Sequence, residues 1–255
     1  MSSHHASIAA ALDDAARKAV AVPQFSGSTP FSIEEAYRIQ ALSIERRCQR
    51  GERRIGIKLG FTSRAKMVQM GVDSLIWGWL TDDMVEEDGG SVQLEKYIHP
   101  RAEPEICFLS RRDIDRPLTL LEAVHYIEAV APAIEIIDSR YEAFRFTLED
   151  VVADNCSSAG LVVGPWSGKR DALANLGVVM RVDGRVAQTG STAAILGHPL
   201  RSLVQASQIL ATTGTILPAG SLIMAGAATA AEVLARGNHV SAMVSGLGTA
   251  AFHAA

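Results

Sequence analysis

Three carboxylates and one ammonium group stand where this chain is otherwise apolar, and their spacing suits metal chemistry. Glu103 and Glu105 lie two residues apart in His99-Pro100-Arg101-Ala102-Glu103-Pro104-Glu105-Ile106-Cys107-Phe108, at the mouth of the apolar run Ile106 to Leu109. If that run is a strand, its period of two points both carboxylates to one face, roughly 6–7 Å apart. Both are ionised at neutral pH and repel unless a cation lies between them. Glu135 is a third acid, enclosed by Ile134, Ile136 and Ile137. Three carboxylates converging from two strands, with water completing the shell, are what Mg²⁺ or Mn²⁺ accepts. A plainer reading stays open beside this one: Glu103 and Glu105 as strand-edge charges, and Glu135 paired with a buried Arg or Lys. Lys58 sits in the apolar, glycine-flanked run Arg54-Ile55-Gly56-Ile57-Lys58-Leu59-Gly60. An ammonium group there is costly unless something anionic meets it. It is either catalytic or a snorkelling edge residue.

The chain as a whole narrows the classes of function. Its 255 residues, 48% hydrophobic, suffice for a sizeable core in one large or two small domains. A formal net charge of −4 argues against a nucleic-acid binder, which would carry a basic stripe. No apolar run reaches the roughly 18 residues of a membrane helix. Met1-Ser2-Ser3-His4-His5 lacks the charged start and apolar stretch of a secretory signal, so a cytoplasmic location is expected. Cys48, Cys107 and Cys156 are odd in number and widely spaced, which fits reduced thiols better than disulfides or a zinc knuckle.

Local signals mark the elements that must position these residues. An alanine-rich stretch over 6–20 predicts a helix. A capping box at Ser32-Ile33-Glu34-Glu35 opens a second, running to about Gly51 behind Arg46, Arg47 and Arg50, a solvated helix end. Residues 64–71 predict a short helix, and Gly71-Val72-Asp73 with Trp77-Gly78-Trp79-Leu80 a loop able to cover a site. A second capping box, Thr119-Leu120-Leu121-Glu122, predicts a helix through Val130, ended by Pro132. A short helix begins at Thr147-Leu148-Glu149-Asp150, before the polar run Asp154-Asn155-Cys156-Ser157-Ser158. Asp183-Gly184, between two apolar runs, is the strongest hairpin signal. A helix is expected over 200–212, then glycine-punctuated strands. His198 reads as a turn residue beside Gly197 and Pro199, and His253 lies in the tail. There is no fixed-period repeat, no convincing linker and no Gly-x-Gly-x-x-Gly after a strand. The order of elements predicts an α+β fold rather than a doubly wound sheet.

Taken together, several motifs resemble one family. These are Gly56-Ile57-Lys58-Leu59-Gly60-Phe61-Thr62-Ser63, Gly71-Val72-Asp73, Arg101-Ala102-Glu103-Pro104-Glu105, Pro132-Ala133-Ile134-Glu135-Ile136-Ile137-Asp138-Ser139-Arg140-Tyr141, Ala153-Asp154-Asn155-Cys156-Ser157-Ser158 and Leu196-Gly197-His198-Pro199. Their order over about residues 30 to 252 is similar to that of the fumarylacetoacetate-hydrolase-like superfamily, in its hydratase/decarboxylase branch. The resemblance implies a mixed, rolled β-sheet with helices packed around it, an N-terminal helix and loop over 1–30, and a single catalytic domain over 31–255. It implies a divalent metal, Mg²⁺ or Mn²⁺, held by Glu103, Glu105 and Glu135, with Lys58 catalytic or orienting substrate and no organic cofactor.

Two activities of the branch compete. The dienoate hydratases carry an Asp before the aromatic-Gly pair of the lid loop, where this chain has Ile76 ahead of Trp77-Gly78. The decarboxylases carry an apolar residue there. They also resemble the stretch from Arg64 to Asp73, Phe144-Arg145-Phe146, Ala228-Thr229-Ala230-Ala231 and Gly246-Leu247-Gly248. The chain departs from them near Gly190-Ser191-Thr192 and at Thr249-Ala250, which bears on substrate preference. The resemblance therefore implies metal-dependent decarboxylation of a small 2-oxo dicarboxylate, 2-oxohex-3-enedioate. The alternatives are hydration of 2-hydroxypenta-2,4-dienoate, hydrolysis of an acylpyruvate C–C bond, and a non-catalytic partner of a hydratase. Ser158, Thr229 and Ile76 are the expected substrate contacts, and a homo-oligomer, with or without a pathway hydratase, is the expected assembly.

Overall fold

The computed structural model describes residues 3–63, Met67 and 75–255 of the chain. Two helices lead: α1 over Ser3–Lys18 and α2 over Ile33–Gln49. The Ser32 hydroxyl accepts the Glu35 N–H while the Glu35 carboxylate accepts the Ser32 N–H, so the expected capping box starts α2. The basic end of α2 is tied rather than merely solvated. Arg46 and Arg50 both bond the buried Asp13 of α1, and Arg47 pairs with Glu52. Ile8, Ala9 and Leu12 of α1 enter one apolar cluster with Ala36 and Ile39 of α2, Tyr141 and Val151.

The helices pack on a mixed, curled eight-stranded sheet. Its strands are β1 (Arg54–Gly60), β2 (Ile76–Thr81), β3 (Val85–Glu86), β5 (Arg101–Ser110), β6 (Ile127–Ile137), β7 (Ser158–Val163), β10 (Leu222–Met224) and β11 (Glu232–Val233). They lie in the order β2-β1-β10-β5-β6-β7-β3, with β11 on β5. A second sheet has the order β4-β13-β12-β8-β9, from β4 (Ser91–Val92), β8 (Gly177–Val182), β9 (Arg185–Ser191), β12 (His239–Val244) and β13 (Gly248–Ala254). The β8–β9 turn is the expected hairpin: Asp183 and Gly184 have φ of +53° and +76°, the pair of positive values its tight turn needs. The remaining α-helices among the described residues are α3 (Leu120–Ala123), α4 (Leu148–Ala153) and α5 (Leu200–Thr213).

Two expectations fail here. The helix from Thr119 through Val130 is one turn long; a 3-10 turn comes next, and β6 begins at Ile127 and runs through Pro132. Pro132 survives mid-strand because its ring nitrogen faces away from β5. The Pro132 carbonyl accepts from Gly164 and Val130 exchanges both bonds with Ser167, so that side of β6 meets a departing loop that requires no N–H from Pro132. Trp77-Gly78-Trp79-Leu80 is not a covering loop either: it belongs to β2, antiparallel to β1, with Trp77, Gly78 and Leu80 buried. The expected helix at 64–71 and the Gly71-Val72-Asp73 loop lie outside the described residues apart from Met67.

Candidate metal centre

Strand register brings the charged residues together. Glu103 of β5 stands directly opposite Glu135 of β6. Lys58 of β1 is opposite Met224 of β10, which is opposite Cys107 of β5. Directly paired residues share a face, and so do residues two apart on one strand. Lys58, Glu103, Glu105 and Glu135 therefore project from the same face of the sheet. Close approach of the strands depends on Gly56, where an added Cβ would lie 1.9 Å from the Leu222 carbonyl oxygen.

One oxygen from each of Glu103, Glu105 and Glu135 lies within 4.8 Å of the others. The Lys58 ammonium lies 3.0 Å from Glu135 Oε1 and donates to the Cys156 carbonyl at 3.1 Å. Glu105 Oε2 accepts the Gly226 N–H at 2.8 Å. All four side chains are buried. Glu135 pairs with a buried lysine and also joins a cluster of acids. Among the described residues, Glu105 Oε1 and Glu135 Oε2 are buried with no hydrogen-bond partner. Among the described residues three carboxylates stand against one ammonium, an excess of negative charge that a divalent cation would offset. An all-oxygen donor set with two unsatisfied buried oxygens fits a hard dication such as Mg²⁺ or Mn²⁺. Burial, then repulsion from Glu135, pushes the Glu105 carboxyl well above its ordinary range. Burial raises Glu135 as well, against the pull of Lys58. Burial works against the Lys58 ammonium, but attraction, chiefly from Glu135, more than reverses this and holds its pKa above the ordinary value.

The Cys156 carbonyl reaches Lys58 because Asn155, Cys156 and Ser157 are all left-handed, with φ of 48°, 53° and 58°. Non-glycine residues adopt this at a cost of about 1–3 kcal/mol each, so the neighbourhood must enforce it. Asn155 Oδ1 accepts the Trp79 N–H at 2.7 Å and its Nδ2 donates to the Trp79 carbonyl at 2.9 Å. Trp77 donates its N–H to Tyr37 Oη, and its carbonyl accepts from Gln40 Nε2 and Cys156 Sγ. Side chains thus replace a neighbouring strand along the outer edge of β2. The sequence marked 154–158 as rich in hydrogen bonders and as part of a family motif, with Ser158 as an expected substrate contact. It carried no sign of Asn155 as a strap, or of Gly226 as a donor to Glu105.

A cavity of about 260 Å³ opens beside Glu103, with Gly60, Phe61, Thr62, Ala228 and Thr229 in its walls. Thr229 is therefore at the site, although its hydroxyl donates to the Ala230 carbonyl. Ser158 is not brought there. It opens β7, its hydroxyl meets Met84 Sδ at 3.7 Å, and it lines a separate cleft of about 430 Å³ with Arg47, Arg50, Lys96, Asp138 and Arg140. That larger cleft is charged, but its cations are engaged by acids, such as Arg50 by Asp13 and Arg140 by Asp154. Ile76 shares the face of Lys58 but packs against Gly60 and the cluster of Ile8, Ile39 and Tyr141, and is not among the described residues that line the cavity. His198 is a turn residue, its Nδ1 accepting the Leu200 N–H, and His253 stands against His239 across β12 and β13.

Residues 56–253 match the Fumarylacetoacetate (FAA) hydrolase C-terminal family. A 4-oxalocrotonate decarboxylase of Pseudomonas sp is 53% identical over 96% of this chain and 96% of its own. A 2-hydroxypent-2,4-dienoate hydratase of Pseudomonas putida is 36% identical over 75% of this chain and 88% of its own. Among solved structures, the 4-oxalocrotonate decarboxylase from Pseudomonas putida G7 complexed with magnesium and adipate superposes with a TM-score of 0.96, at 36% identity, over 99% of this chain and 97% of that one. The fold, the ordered motifs and these matches agree: the chain belongs to the fumarylacetoacetate hydrolase family.

Proposed function

We propose that this protein decarboxylates 2-oxohex-3-enedioate (4-oxalocrotonate) to 2-hydroxypenta-2,4-dienoate and CO₂ in the meta-cleavage degradation of aromatic compounds. Glu103, Glu105 and Glu135 hold Mg²⁺ or Mn²⁺ for this reaction. One observation carries the proposal: the buried acid triad with its paired Lys58, in a chain 53% identical to a 4-oxalocrotonate decarboxylase. The adipate in the Pseudomonas putida G7 enzyme is a dicarboxylate of the substrate's length, and the magnesium there is a hard dication. The cavity beside Glu103, about 260 Å³, lies just under the roughly 300–1,000 Å³ of sites for larger ligands.

The chemistry rests on the charges. As the distal carboxylate leaves as CO₂, its electron pair passes through the C3–C4 double bond onto the C2 oxygen. A bound dication supplies Lewis-acid stabilisation of that developing negative charge. Lys58, with two of its N–H groups fixed by Glu135 and the Cys156 carbonyl, has a third to donate to the C2 oxygen. Leu59, Phe61, Ala194 and Ala228 give the cavity apolar walls that keep water from the departing carboxylate. Hydration of the dienoate is the competing reading, favoured by the 36% identical hydratase. Adding water calls for a placed acid or base, and Ile76, buried among apolar side chains, is neither.

The test is a product assay on metal-loaded protein offered each compound separately, with and without EDTA. Metal-dependent CO₂ from 2-oxohex-3-enedioate alone is the expected result. Consumption of 2-hydroxypenta-2,4-dienoate alone would overturn it. Lys58→Ala should lower turnover about 10²-fold or more if Lys58 stabilises the oxyanion. A cytoplasmic setting, supported by the free thiols of Cys48, Cys107 and Cys156, completes the proposal. So do a homo-oligomer and association with a hydratase that consumes the product, both checked by light scattering with and without added hydratase.

A further inference from the structure

We infer that Asn155 is a positioning residue for Lys58, acting through the Cys156 carbonyl. The inference rests on the role proposed for Lys58 in the decarboxylation. The ammonium is fixed at two points, Glu135 Oε1 at 3.0 Å and the Cys156 carbonyl at 3.1 Å. Glu135 belongs to the acid cluster and is shared with its other members. The carbonyl is therefore the anchor dedicated to Lys58, and it decides where the third N–H points. That carbonyl belongs to the middle residue of a left-handed run of three non-glycine residues. Such a run relaxes toward ordinary backbone unless it is held.

Asn155 holds it. Its side chain takes both backbone groups of Trp79, N–H and C=O, at 2.7 and 2.9 Å. Trp79 lies on β2 opposite Ile57, one residue from Lys58. The turn that carries the carbonyl is thus registered to the strand beside the one that carries the lysine. Gly78, directly opposite Lys58, completes the fit: an added Cβ there would lie 2.4 Å from the Asn155 carbonyl oxygen. Among the described residues the Asn155 side chain bonds Trp79 and none of the acids, and it does not line the cavity beside Glu103. A loss of activity on changing it must therefore travel through the turn.

The experiment is a double-mutant cycle with 2-oxohex-3-enedioate, joining Asn155→Ala to Lys58→Ala and read as kcat and KM, with Mg²⁺ affinity measured by calorimetry. Asn155→Ala in the natural chain should lower kcat about 10–100-fold, leaving KM and Mg²⁺ affinity within about 3-fold. In the Lys58→Ala background the same change should cost less than about 2-fold, because the group it positions is gone. Gly78→Ala, which displaces the turn from the other side, should reproduce both results and serves if Asn155→Ala does not fold. A kcat loss of equal size in the Lys58→Ala background, an unchanged kcat, or a loss confined to KM or to Mg²⁺ affinity would overturn the inference. Full activity of Lys58→Ala alone would overturn the role of Lys58 and this inference with it, a result distinct from failure of the cycle.

Discussion

Replacing Glu105 and Glu135 by glutamine, one at a time, should move stability in opposite directions while abolishing turnover in both. Glu105→Gln keeps an oxygen to accept the Gly226 N–H and removes one negative charge from a buried cluster of three acids. Two carboxylate oxygens no more than 4.8 Å apart repel by about 3.5 kcal/mol or more at an effective dielectric near 20. Proton uptake by the cluster, which burial of Glu105 favours, already relieves part of this, so the gain on substitution is about 1–3 kcal/mol. At about 2–4 °C per kcal/mol for a chain of this size, Tm of the metal-free protein should rise by about 2–12 °C. Glu135→Gln keeps an oxygen within reach of Lys58 but removes the charge that stands 3.0 Å from its buried ammonium, leaving it neutral acceptors there and at the Cys156 carbonyl. Breaking a buried pair in this way costs about 3–5 kcal/mol. Attraction from the two remaining acids offsets part of the loss, and a fall of about 2–4 kcal/mol remains.

The assay is thermal unfolding of EDTA-treated protein, repeated across a Mg²⁺ titration. The natural chain should gain about 2.7 kcal/mol once Mg²⁺ reaches a hundred times its dissociation constant. Neither variant should show that gain at the same concentration. A Glu105→Gln protein less stable than the natural chain without metal would refute the electrostatic account of the cluster, whatever its activity. A preserved Mg²⁺ shift in either variant would remove that carboxylate from the proposed metal shell.

Three further outcomes are expected. Gly56→Ala should destabilise by at least about 3 kcal/mol, read from the urea midpoint, because the new methyl meets the Leu222 carbonyl oxygen at 1.9 Å and two paired strands must part. Asp13→Asn should cost about 1–2 kcal/mol at pH 7, discounted because Arg46 and Arg50 are partly exposed. Burial would raise the Asp13 pKa, but hydrogen bonds from Arg50 and Arg46 overcome it and hold it below 3.8. That stabilisation is present above about pH 4 and is lost as pH falls through the lower folded value, so the gap between Asp13→Asn and the natural chain should close in acid. Thr229→Val keeps the volume at the cavity wall and deletes a hydroxyl that bonds the Ala230 carbonyl; KM for the dicarboxylate should rise if that hydroxyl turns to substrate, and stay fixed if it does not.

The parts of the fold legible in the sequence are those where local chemistry decides the conformation. The capping boxes at Ser32 and Thr147 start helices, and Asp183-Gly184 turns a hairpin, because the side chain or backbone that fixes each turn lies within three residues. The box at Thr119 is also real, but it governs a single turn. Distant partners decide the conformation beyond that turn: β6 is clasped between β5 and β7, and that pairing outweighs both the helical start and Pro132. Trp77-Gly78-Trp79 misleads in the same way, since its strand partner lies some twenty residues back and its glycine reads as a loop until Asn155 is seen against it.

The acid cluster is legible for the same reason. Parity along a strand is a local property, so Glu103 and Glu105 had to share a face once β5 was a strand, and the apolar neighbours of Glu135 required a partner for it. Parity gives faces but not neighbours. It could not show that β10 would lie between Lys58 and the acids, nor that Ser158 would open β7 toward the charged cleft. It was silent on β2, whose outer edge is closed by Tyr37, Gln40, Cys156 and Asn155 instead of by a strand. A ladder fixes register by repetition, so loss of one bond is shared among many. An edge held by single side chains concentrates the same task on each of them, and Asn155 carries its part 76 positions along the chain from Trp79. The acids could be found from their own spacing, whereas the residue that aims the lysine between them could not.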